Sequence, residues 1–296
     1  MSKLLSIVIS SKDNCKCLEN LVHQIVKLPN YFADIDLFII NDGSQESYAS
    51  LEEFLVMHNE VKYVKHDQPH GKVKSVIETV PLLTSNYLIF IDDKDEIIPH
   101  FAQTIEKLKD YTAVFVGYLA NPKMQPIGQT VPDKITYYQY YYQQANIGDL
   151  LFFYPKRIYT KFKVPSELAN LVINDELVVN QYIFNEPLTV INDLPLIIHD
   201  YTLGHLTTSI FENKTNNWQV TRWCCNLIFE HNPCFKIKVV KLFEVFLTRE
   251  KASIHLPTFS YSCLYWMLHW SGGFLAIKHV YKKKIDELIQ AQEEVA

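Results

Sequence analysis

Three aspartates lie within four residues, directly after an apolar run. The run is Leu88–Ile91, and the aspartates are Asp92, Asp93 and Asp95. Their carboxylates repel one another, so a fold that gathers them usually satisfies them with a cation or with the hydroxyl groups of a sugar. The spacing therefore predicts a binding site at the end of this run.

A second acidic turn, Asn41-Asp42-Gly43-Ser44, follows the apolar run 37–40 in the same arrangement. The carboxyl ends of parallel strands meet at one edge of a sheet, and ligands of α/β proteins bind there. Two buried strands that end in acidic loops therefore indicate a nucleotide-diphosphate site at that edge.

The first half of the chain alternates strand and helix patterns that could position these turns. Strands are predicted at 6–10, 36–40, 61–64, 87–91 and 113–117, and helices at 18–27, 50–58, 72–83 and 101–108. The strands are almost continuously apolar, which is typical of a parallel sheet covered by helices on both faces. We therefore expect an α/β fold with a mostly parallel sheet flanked by helices.

Composition narrows the class of protein. The chain has 296 residues, of which 48% are hydrophobic and 21% charged, as expected for a globular protein with a sizeable core. Its net charge of −5 does not favour a nucleic-acid partner. The six cysteines form no C-x-x-C pair, which favours buried free thiols in a reducing cytoplasm. The N-terminal apolar run is interpreted as a strand and not as a signal peptide, and no run of apolar residues predicts a membrane-spanning helix.

Four motifs follow one another in a characteristic order: 6–10, 39–44, 70–72 and 90–95, the last followed by Pro99. In this order they resemble the family 2 glycosyltransferases of GT-A fold, over roughly residues 4–210. The resemblance implies a Rossmann-like catalytic domain at 1–215. It also implies an enzyme that moves a sugar from a nucleotide-diphosphate sugar, with a UDP-sugar as the expected donor.

The resemblance assigns a set of residues to the nucleotide-sugar: Ser10, Asp13, Asp42, Gly71, Lys72, Asp92, Asp93 and Lys94. Asp42 would accept hydrogen bonds from the uracil or ribose, and Asp92 would contact the ribose or sugar. Gly71 and Lys72 precede a predicted helix, whose N-terminus could approach phosphate. A solvated lysine after a turn is the alternative interpretation.

The metal site that the resemblance implies is Mn²⁺ or Mg²⁺ held by Asp93, Asp95 and His205, the last as metal ligand or phosphate donor. Family members commonly read Phe-Leu-Asp-Ser-Asp-Asp, so Lys94 stands where the metal-binding aspartate usually lies. Three interpretations compete: Asp93 or Asp95 takes over as ligand, Lys94 itself neutralises the diphosphate, or the site has lost its catalytic power. His199, beside an apolar run, is predicted to be a satisfied core histidine.

The acceptor side of the site is predicted at Asn174-Asp175-Glu176, which resembles the family's Glu-Asp pair. Asp175 would act as the general base that takes the proton from the attacking hydroxyl, with Glu176 as the neighbouring candidate. Asn174 stands where the family has glutamate, so the match is partial. Asp175 could also cap the helix suggested at 177–184, and one residue can do both.

Residues 216–296 lie outside the resemblance and are predicted to form a helical C-terminal region. Trp266, Trp270 and the lysines at 282–284 fit an interfacial helix on anionic lipid. Packing against the catalytic domain or a homo-oligomer interface with aromatic anchors is the alternative. The predicted location is the cytoplasm, with peripheral contact at the inner face of the membrane as one option.

Together these features predict an inverting glycosyltransferase whose acceptor is a hydroxyl of a cell-surface glycan, a lipid-linked glycan or a glycoprotein. The alternative is a catalytically silent glycosyltransferase-like subunit that binds a partner enzyme, which Lys94 and Asn174 favour. A nucleotidyltransferase is disfavoured, because the segment 10–14 after the first strand lacks the glycine of a phosphate loop.

Overall fold

A computed structural model of the protein describes residues 3–29, 31–108, 112–128, 130–132, 135–137, 139–140, 150–163 and 180–199. All of them belong to one compact unit, Met1–Tyr201. Asp175, Glu176, His205 and the region 216–296 lie outside the described residues. Their roles and the domain boundary at 215 therefore stay predictions.

The described strands join into one eight-stranded sheet in the order β3-β2-β1-β4-β7-β6-β8-β5. Their bounds are β1 Leu5–Ser11, β2 Ile35–Asn41, β3 Lys62–Lys65, β4 Tyr87–Phe90, β5 Glu96–Ile97, β6 Val114–Ala120, β7 Leu150–Pro155 and β8 Leu188–Ile198. Neighbouring strands from β3 to β4 are parallel, as are β6 and β8, whereas β7 and β5 run antiparallel to their neighbours. The prediction of a mostly parallel sheet is confirmed.

Helices cover both faces of this sheet. Their bounds are α1 Cys15–Val26, α2 Tyr31–Asp34, α3 Ala49–Met57, α4 Lys72–Thr79, α5 Phe101–Ile105 and α6 Lys156–Tyr159. In β1, Ile7 and Ile9 join the core cluster that contains the apolar face of α1, while Val8 joins the cluster that contains Val76 of α4. This alternation follows from the two-residue period of a strand. Among the described residues, no helix has the length and apolarity needed to cross a bilayer.

Helix α4 is shorter than its periodicity predicts. It ends at Thr79 and continues as the 3-10 turn Val80–Leu82, not as a regular helix to residue 83. Pro81 explains the end, because proline has no N–H to donate and its ring clashes with the preceding turn. The regular part of α4 therefore runs only from Lys72 to Thr79.

One edge of the sheet collects the ends of strands that are distant in sequence. Strand β7 runs against both β4 and β6, so β6 and its parallel partner β8 point the same way as β1, β2 and β4. Their carboxyl ends lie at a common edge, as in other open α/β sheets. Both acidic turns and the residue after β8 therefore emerge together.

Candidate active site

Asp42 follows β2 and is 4% exposed. Its Oδ1 accepts hydrogen bonds from the backbone N–H of His70 and the hydroxyl of Ser75, both at 2.8 Å, and lies 3.1 Å from His66 Nδ1. Its Oδ2 accepts from the backbone N–H of Gly71 at 2.8 Å. Burial raises the pKa of Asp42, but these partners lower it more, and the net pKa lies below its usual value. Asp42 therefore stays ionised and fixes the segment that enters α4.

Gly43 allows the chain to make the close approach that this arrangement needs. Its φ is +66°, and a Cβ there would lie 2.5 Å from the backbone carbon of Gln68 and from the nitrogen of Pro69. Only glycine adopts this conformation at no steric cost. The side-chain oxygen of Asn41 accepts the backbone N–H of Ser44 at 3.0 Å and completes the turn.

Asp13 connects the loops after β1 and β2. Its Oδ1 accepts the backbone N–H groups of Gln45 at 2.7 Å and Glu46 at 3.0 Å. Its own backbone N–H donates to the hydroxyl of Ser44 at 3.0 Å. The hydrogen bonds from Glu46 and Gln45 hold the pKa of Asp13 below its usual value. The predicted nucleotide residue Asp13 thus has a structural task in the described protein.

Ser11, the last residue of β1, brings the first strand into contact with the acidic loop. It is 2% exposed, and its hydroxyl donates to Asp93 Oδ2 at 2.6 Å. The same hydroxyl lies 2.9 Å from the hydroxyl of Tyr48. Burial raises the pKa of Asp93, and the hydrogen bond from Ser11 opposes this only in part. Asp93 is therefore easier to protonate than an ordinary aspartate.

Lys72 links the two acidic turns. It is the first residue of α4, whose entry segment binds Asp42, and its ammonium group donates a hydrogen bond to Asp92 Oδ1. Burial raises the pKa of Asp92, but the charge of Lys72 lowers it, and the net pKa lies below its usual value. The side chain of Asp92 is still 39% exposed, so this carboxylate can be reached from solvent. Lys94, exposed on the same loop, also lowers this pKa by its charge.

Asp95 closes the acidic loop from inside. It is 8% exposed, and its Oδ2 accepts the backbone N–H of Asp92 at 2.9 Å. Its Oδ1 lies 2.6 Å from His199 Nδ1. Burial raises the pKa of Asp95, and the hydrogen bond to His199 counteracts that effect without overcoming it. Asp95 thus serves the shape of the loop.

His199 lies at the acidic loop and not in the apolar core, where sequence analysis predicts it. Strand β8 ends at Ile198 and runs parallel to β6, so the next residue emerges at the edge where the acidic loop lies. Strand β5 then pairs Glu96 with Ile198, which brings the loop and His199 together. The signal available in the sequence was the position of this histidine directly after a strand.

Five of the eight predicted donor residues form one connected group in the structure. Asp42, Gly71, Lys72, Asp92 and Asp93 are joined through direct contacts or through one shared neighbour. Ser10 is half-buried in β1, next to Ser11. Sequence analysis missed the supporting residues His66, Ser75 and Tyr48. Ser75 had a recognisable signal, because it is a polar residue between Val73 and Val76 on the buried face of α4.

The metal set implied by the resemblance can be tested on Asp93 and Asp95. Both oxygens of Asp95 and one oxygen of Asp93 already face protein partners. Within the described residues, the acidic loop does not bring three ligand atoms within 4.8 Å of one another. A hard cation needs several oxygens directed at one centre. The described loop therefore presents no complete set of protein ligands for a cation, and the set of Asp93, Asp95 and His205 stays a prediction.

Comparison with known proteins agrees with this architecture. The model of the family described as glycosyl transferase family 2 matches residues 6–164, which is more than half of the chain. The chain belongs to glycosyl transferase family 2. The prediction of a glycosyltransferase is thereby confirmed at the level of the family. No curated protein sequence matches the chain significantly.

Solved structures of TarS from S. aureus share the fold. One TarS structure is 13% identical, with a TM-score of 0.57 over 84% of this chain and 44% of that chain. The structure of TarS 1–349 in complex with UDP-GlcNAc is 14% identical, with a TM-score of 0.56 over 83% of this chain and 71% of that one. The match to TarS 1–349 in complex with UDP is also 14% identical, with a TM-score of 0.53 over 83% and 70%. These likenesses establish the GT-A fold, and the chain spans less than half of the longer TarS chain.

Proposed function

We propose that this protein transfers a sugar from a UDP-sugar to a hydroxyl group of a cell-surface glycan, lipid-linked glycan or glycoprotein, with inversion at the anomeric carbon. The observation that carries the proposal is the joined pair of acidic turns at the carboxyl edge of the sheet, in a chain of glycosyl transferase family 2. The complexes of TarS with UDP and with UDP-GlcNAc support this donor class by analogy.

The charges around Asp92 suit a donor that carries a diphosphate. Lys72 and Lys94 place positive charge beside this carboxylate. Burial raises the pKa values of Asp93 and Asp95, so both carboxylates take up a proton more readily than an ordinary aspartate does. The departing diphosphate carries concentrated negative charge, so fixed positive charge beside it lowers the barrier. We propose that the two lysines supply this charge, with Asp92 orienting Lys72.

The reaction is a single displacement at the anomeric carbon. The acceptor oxygen forms a bond to that carbon, the bond from the carbon to the diphosphate oxygen breaks, and UDP leaves with the electron pair. The proton of the acceptor hydroxyl passes to a carboxylate, for which Asp175 is the proposed base and Glu176 the neighbouring candidate. In such a displacement, the general base must lie on the side of the anomeric carbon opposite the departing diphosphate.

A calorimetric titration of UDP, with Mn²⁺ and again with EDTA, tests the donor assignment. We expect wild-type protein to bind UDP and to retain binding in EDTA, because Lys72 and Lys94 provide the opposing charge. Binding only with Mn²⁺ would support the transferase but overturn the proposed role of the lysines. The absence of binding in both buffers would overturn the UDP assignment and favour the silent-subunit alternative.

Two variants locate the site within the sheet. Asp92→Asn should abolish transfer and weaken UDP binding at least tenfold, since a charge-assisted contact contributes about 1.5–3 kcal/mol. Asp36→Asn is the matched control, because Asp36 also pairs with a lysine, Lys62 at 3.2 Å, but lies at the opposite end of β2. Full transfer activity of Asp92→Asn would show that the acidic loop does not serve the donor.

A third variant tests the acceptor side. Asp175→Asn should leave UDP binding unchanged and lower turnover by about a hundredfold or more, as the loss of a general base does. A loss of UDP affinity instead would place Asp175 on the donor side. The comparison of binding with turnover separates the two roles in one preparation.

The cellular setting of the proposal follows the family analogy and not a particular residue. We propose a cytoplasmic enzyme whose residues 216–296 contact the acceptor, the membrane surface or a second copy. Flotation with anionic vesicles, compared between the full chain and a Lys282→Glu, Lys283→Glu, Lys284→Glu variant, measures the membrane contribution. Equal flotation of both proteins would remove the lysine cluster from that role.

A further inference from the structure

A cluster of two histidines and a glutamate lies beside Asp42. His66 follows β3, His70 lies just before α4, and Glu78 lies in the last turn of α4. Glu78 Oε2 is 3.0 Å from His70 Nδ1 and 3.6 Å from His66 Nε2. One ligand atom from each of the three side chains lies within 4.8 Å of the other two. In the candidate active site His66 supports Asp42, whereas Glu78 has no assigned role.

Both ring nitrogens of His66 face carboxylates: Nδ1 faces Asp42 and Nε2 faces Glu78. Its Nδ1 lies 3.1 Å from the ionised carboxylate of Asp42, which accepts a proton donor there. In a neutral imidazole the other nitrogen, Nε2, then carries a lone pair. That lone pair faces the carboxylate of Glu78, so two electron-rich atoms oppose each other. A cation between them removes this conflict.

The arrangement around His66 is the one that protein metal sites use. A histidine that binds a metal through one nitrogen usually donates its other N–H to a carboxylate, which fixes the tautomer and orients the ring. Asp42 supplies that carboxylate. Its position is fixed in turn by Ser75 and by the backbone N–H groups of His70 and Gly71.

The distances also suit a small divalent ion. Bonds of about 2.0–2.1 Å to Zn²⁺ in a tetrahedron place neighbouring ligand atoms about 3.3 Å apart. The two measured distances, 3.0 Å and 3.6 Å, lie on either side of this value. The imidazole rings stack with centroids 4.0 Å apart and planes 26° apart, so one ring must tilt further for both nitrogen lone pairs to point at the same ion. The side chains of His70 and Glu78 are 34% and 41% exposed, which leaves room for water as a fourth ligand.

We propose that His66 Nε2, His70 Nδ1 and Glu78 Oε2 bind a divalent transition-metal ion, with Zn²⁺ as the ion best matched to two imidazoles and one carboxylate. The ion would link the residue after β3 to the last turn of α4. It thereby holds His66 in the tautomer that donates to Asp42. The site adjoins the donor site through Asp42, but the donor proposal does not depend on this ion.

Titration with Co²⁺, followed by visible absorption and by competition with Zn²⁺, tests the site on the full-length protein. Wild-type protein should bind one ion that is lost in His70→Ala and in Glu78→Gln, each weakening affinity at least a hundredfold. This expectation follows because loss of a supporting residue alone costs about 10- to 100-fold. Ions held by thiols such as Cys15 and Cys17 remain in these variants and are thereby subtracted.

His58→Ala is the matched control. His58 Nδ1 lies 3.1 Å from Glu60 Oε1, with similar exposure, but no third ligand completes this pair among the described residues. Its variant should bind Co²⁺ as wild type does. Equal binding by wild type and His70→Ala would overturn the proposal, as would no binding by wild type, which would indicate that a protonated His66 bridges Asp42 and Glu78.

The His70→Ala variant also separates this site from the donor site. If Mn²⁺ were required for UDP binding, His70→Ala would keep that requirement when the cation acts at the acidic loop. It would lose UDP binding together with metal binding when the cation acts here. Failure of Co²⁺ binding with intact UDP binding would overturn only the present inference.

Discussion

The turn at Asp42 and the loop at Asp92–Asp95 lie at the same edge of the sheet, yet they hold their carboxylates in opposite ways. Asp42 is buried and keeps a lowered pKa, because several partners surround it. Asp95 is buried to a similar degree and has a raised pKa, because burial and the neighbouring carboxylate of Asp92 outweigh its fewer donors. At similar burial, the number of hydrogen-bond donors thus decides whether the pKa of an aspartate lies below or above its usual value.

This difference suggests that the Asp42 turn stabilises the fold, whereas the acidic loop at the same sheet edge binds the ligand. Both carboxylate oxygens of Asp42 accept hydrogen bonds from protein groups, and these bonds fix the segment that enters α4. The acidic loop leaves Asp92 39% exposed, beside a lysine. Substitutions in the first region should therefore reduce stability, and substitutions in the second should reduce binding.

Asp42→Asn should have the largest effect on stability. An asparagine presents an amide group to donors, so at least one of the backbone N–H groups of His70 and Gly71 loses its acceptor. We expect the free energy of unfolding to fall by about 3–5 kcal/mol. Urea denaturation measures it, with Asp92→Asn as the comparison, for which we expect about 1 kcal/mol or less. Equal losses in the two variants would contradict the contrast between the turns.

Gly43→Ala should follow in size. Its Cβ would enter the backbone of Gln68 and Pro69 at a φ that favours glycine, and backbone cannot move aside cheaply. We expect a loss of about 2–3 kcal/mol in the free energy of unfolding. Gly117→Ala is the comparison, because its Cβ would overpack the buried side chain of Leu196, at about 1–3 kcal/mol, without a positive φ to add backbone strain. A loss below about 1 kcal/mol for Gly43→Ala would show that the Asp42 turn is not rigid.

The smallest expected effect is the change of stability with pH. The contributions of the two regions to this change should have opposite signs. The lowered pKa of Asp42 contributes stability above about pH 4, which is lost as pH falls through its folded pKa. The raised pKa of Asp93 acts in reverse, because protonation favours the folded state as pH falls from neutrality toward about 4.

Thermal unfolding of wild type and Asp93→Asn between pH 7 and pH 4 isolates the second contribution. The difference in Tm should shift in favour of wild type as pH falls, because wild type gains the stability of protonating Asp93 and the variant has nothing to protonate. A difference that is constant across this range would show that Asp93 titrates like an ordinary aspartate.

Local patterns in the sequence predicted the parallel half of the fold. Continuous apolar runs predicted strands β1, β2 and β4, and apolar residues at helical spacing predicted α1. The antiparallel insertion of β7 was not predictable, because an apolar run does not reveal the direction of a strand or its partner. Pairing between β7 and both β4 and β6 is set by contacts across the chain.

The same distinction applies to the candidate site. The Asp42 and Asp92 motifs are contiguous in sequence and were recognisable, whereas their partners are not. His66 and Ser75 support Asp42 only because the loop after β3 folds back over Gly43. His199 meets Asp95 only because two strands run in the same direction. Supporting residues depend on tertiary geometry, which motif spacing does not encode.

The pairing of Asp95 with His199 has a consequence for how the protein is made. The two residues are 104 positions apart, whereas Ser11 and Asp93 are 82 apart. Chains emerge from the ribosome at about 5–20 residues per second, N-terminus first. The nascent chain can therefore join β1 to the acidic loop seconds before the histidine that closes the loop has been synthesised.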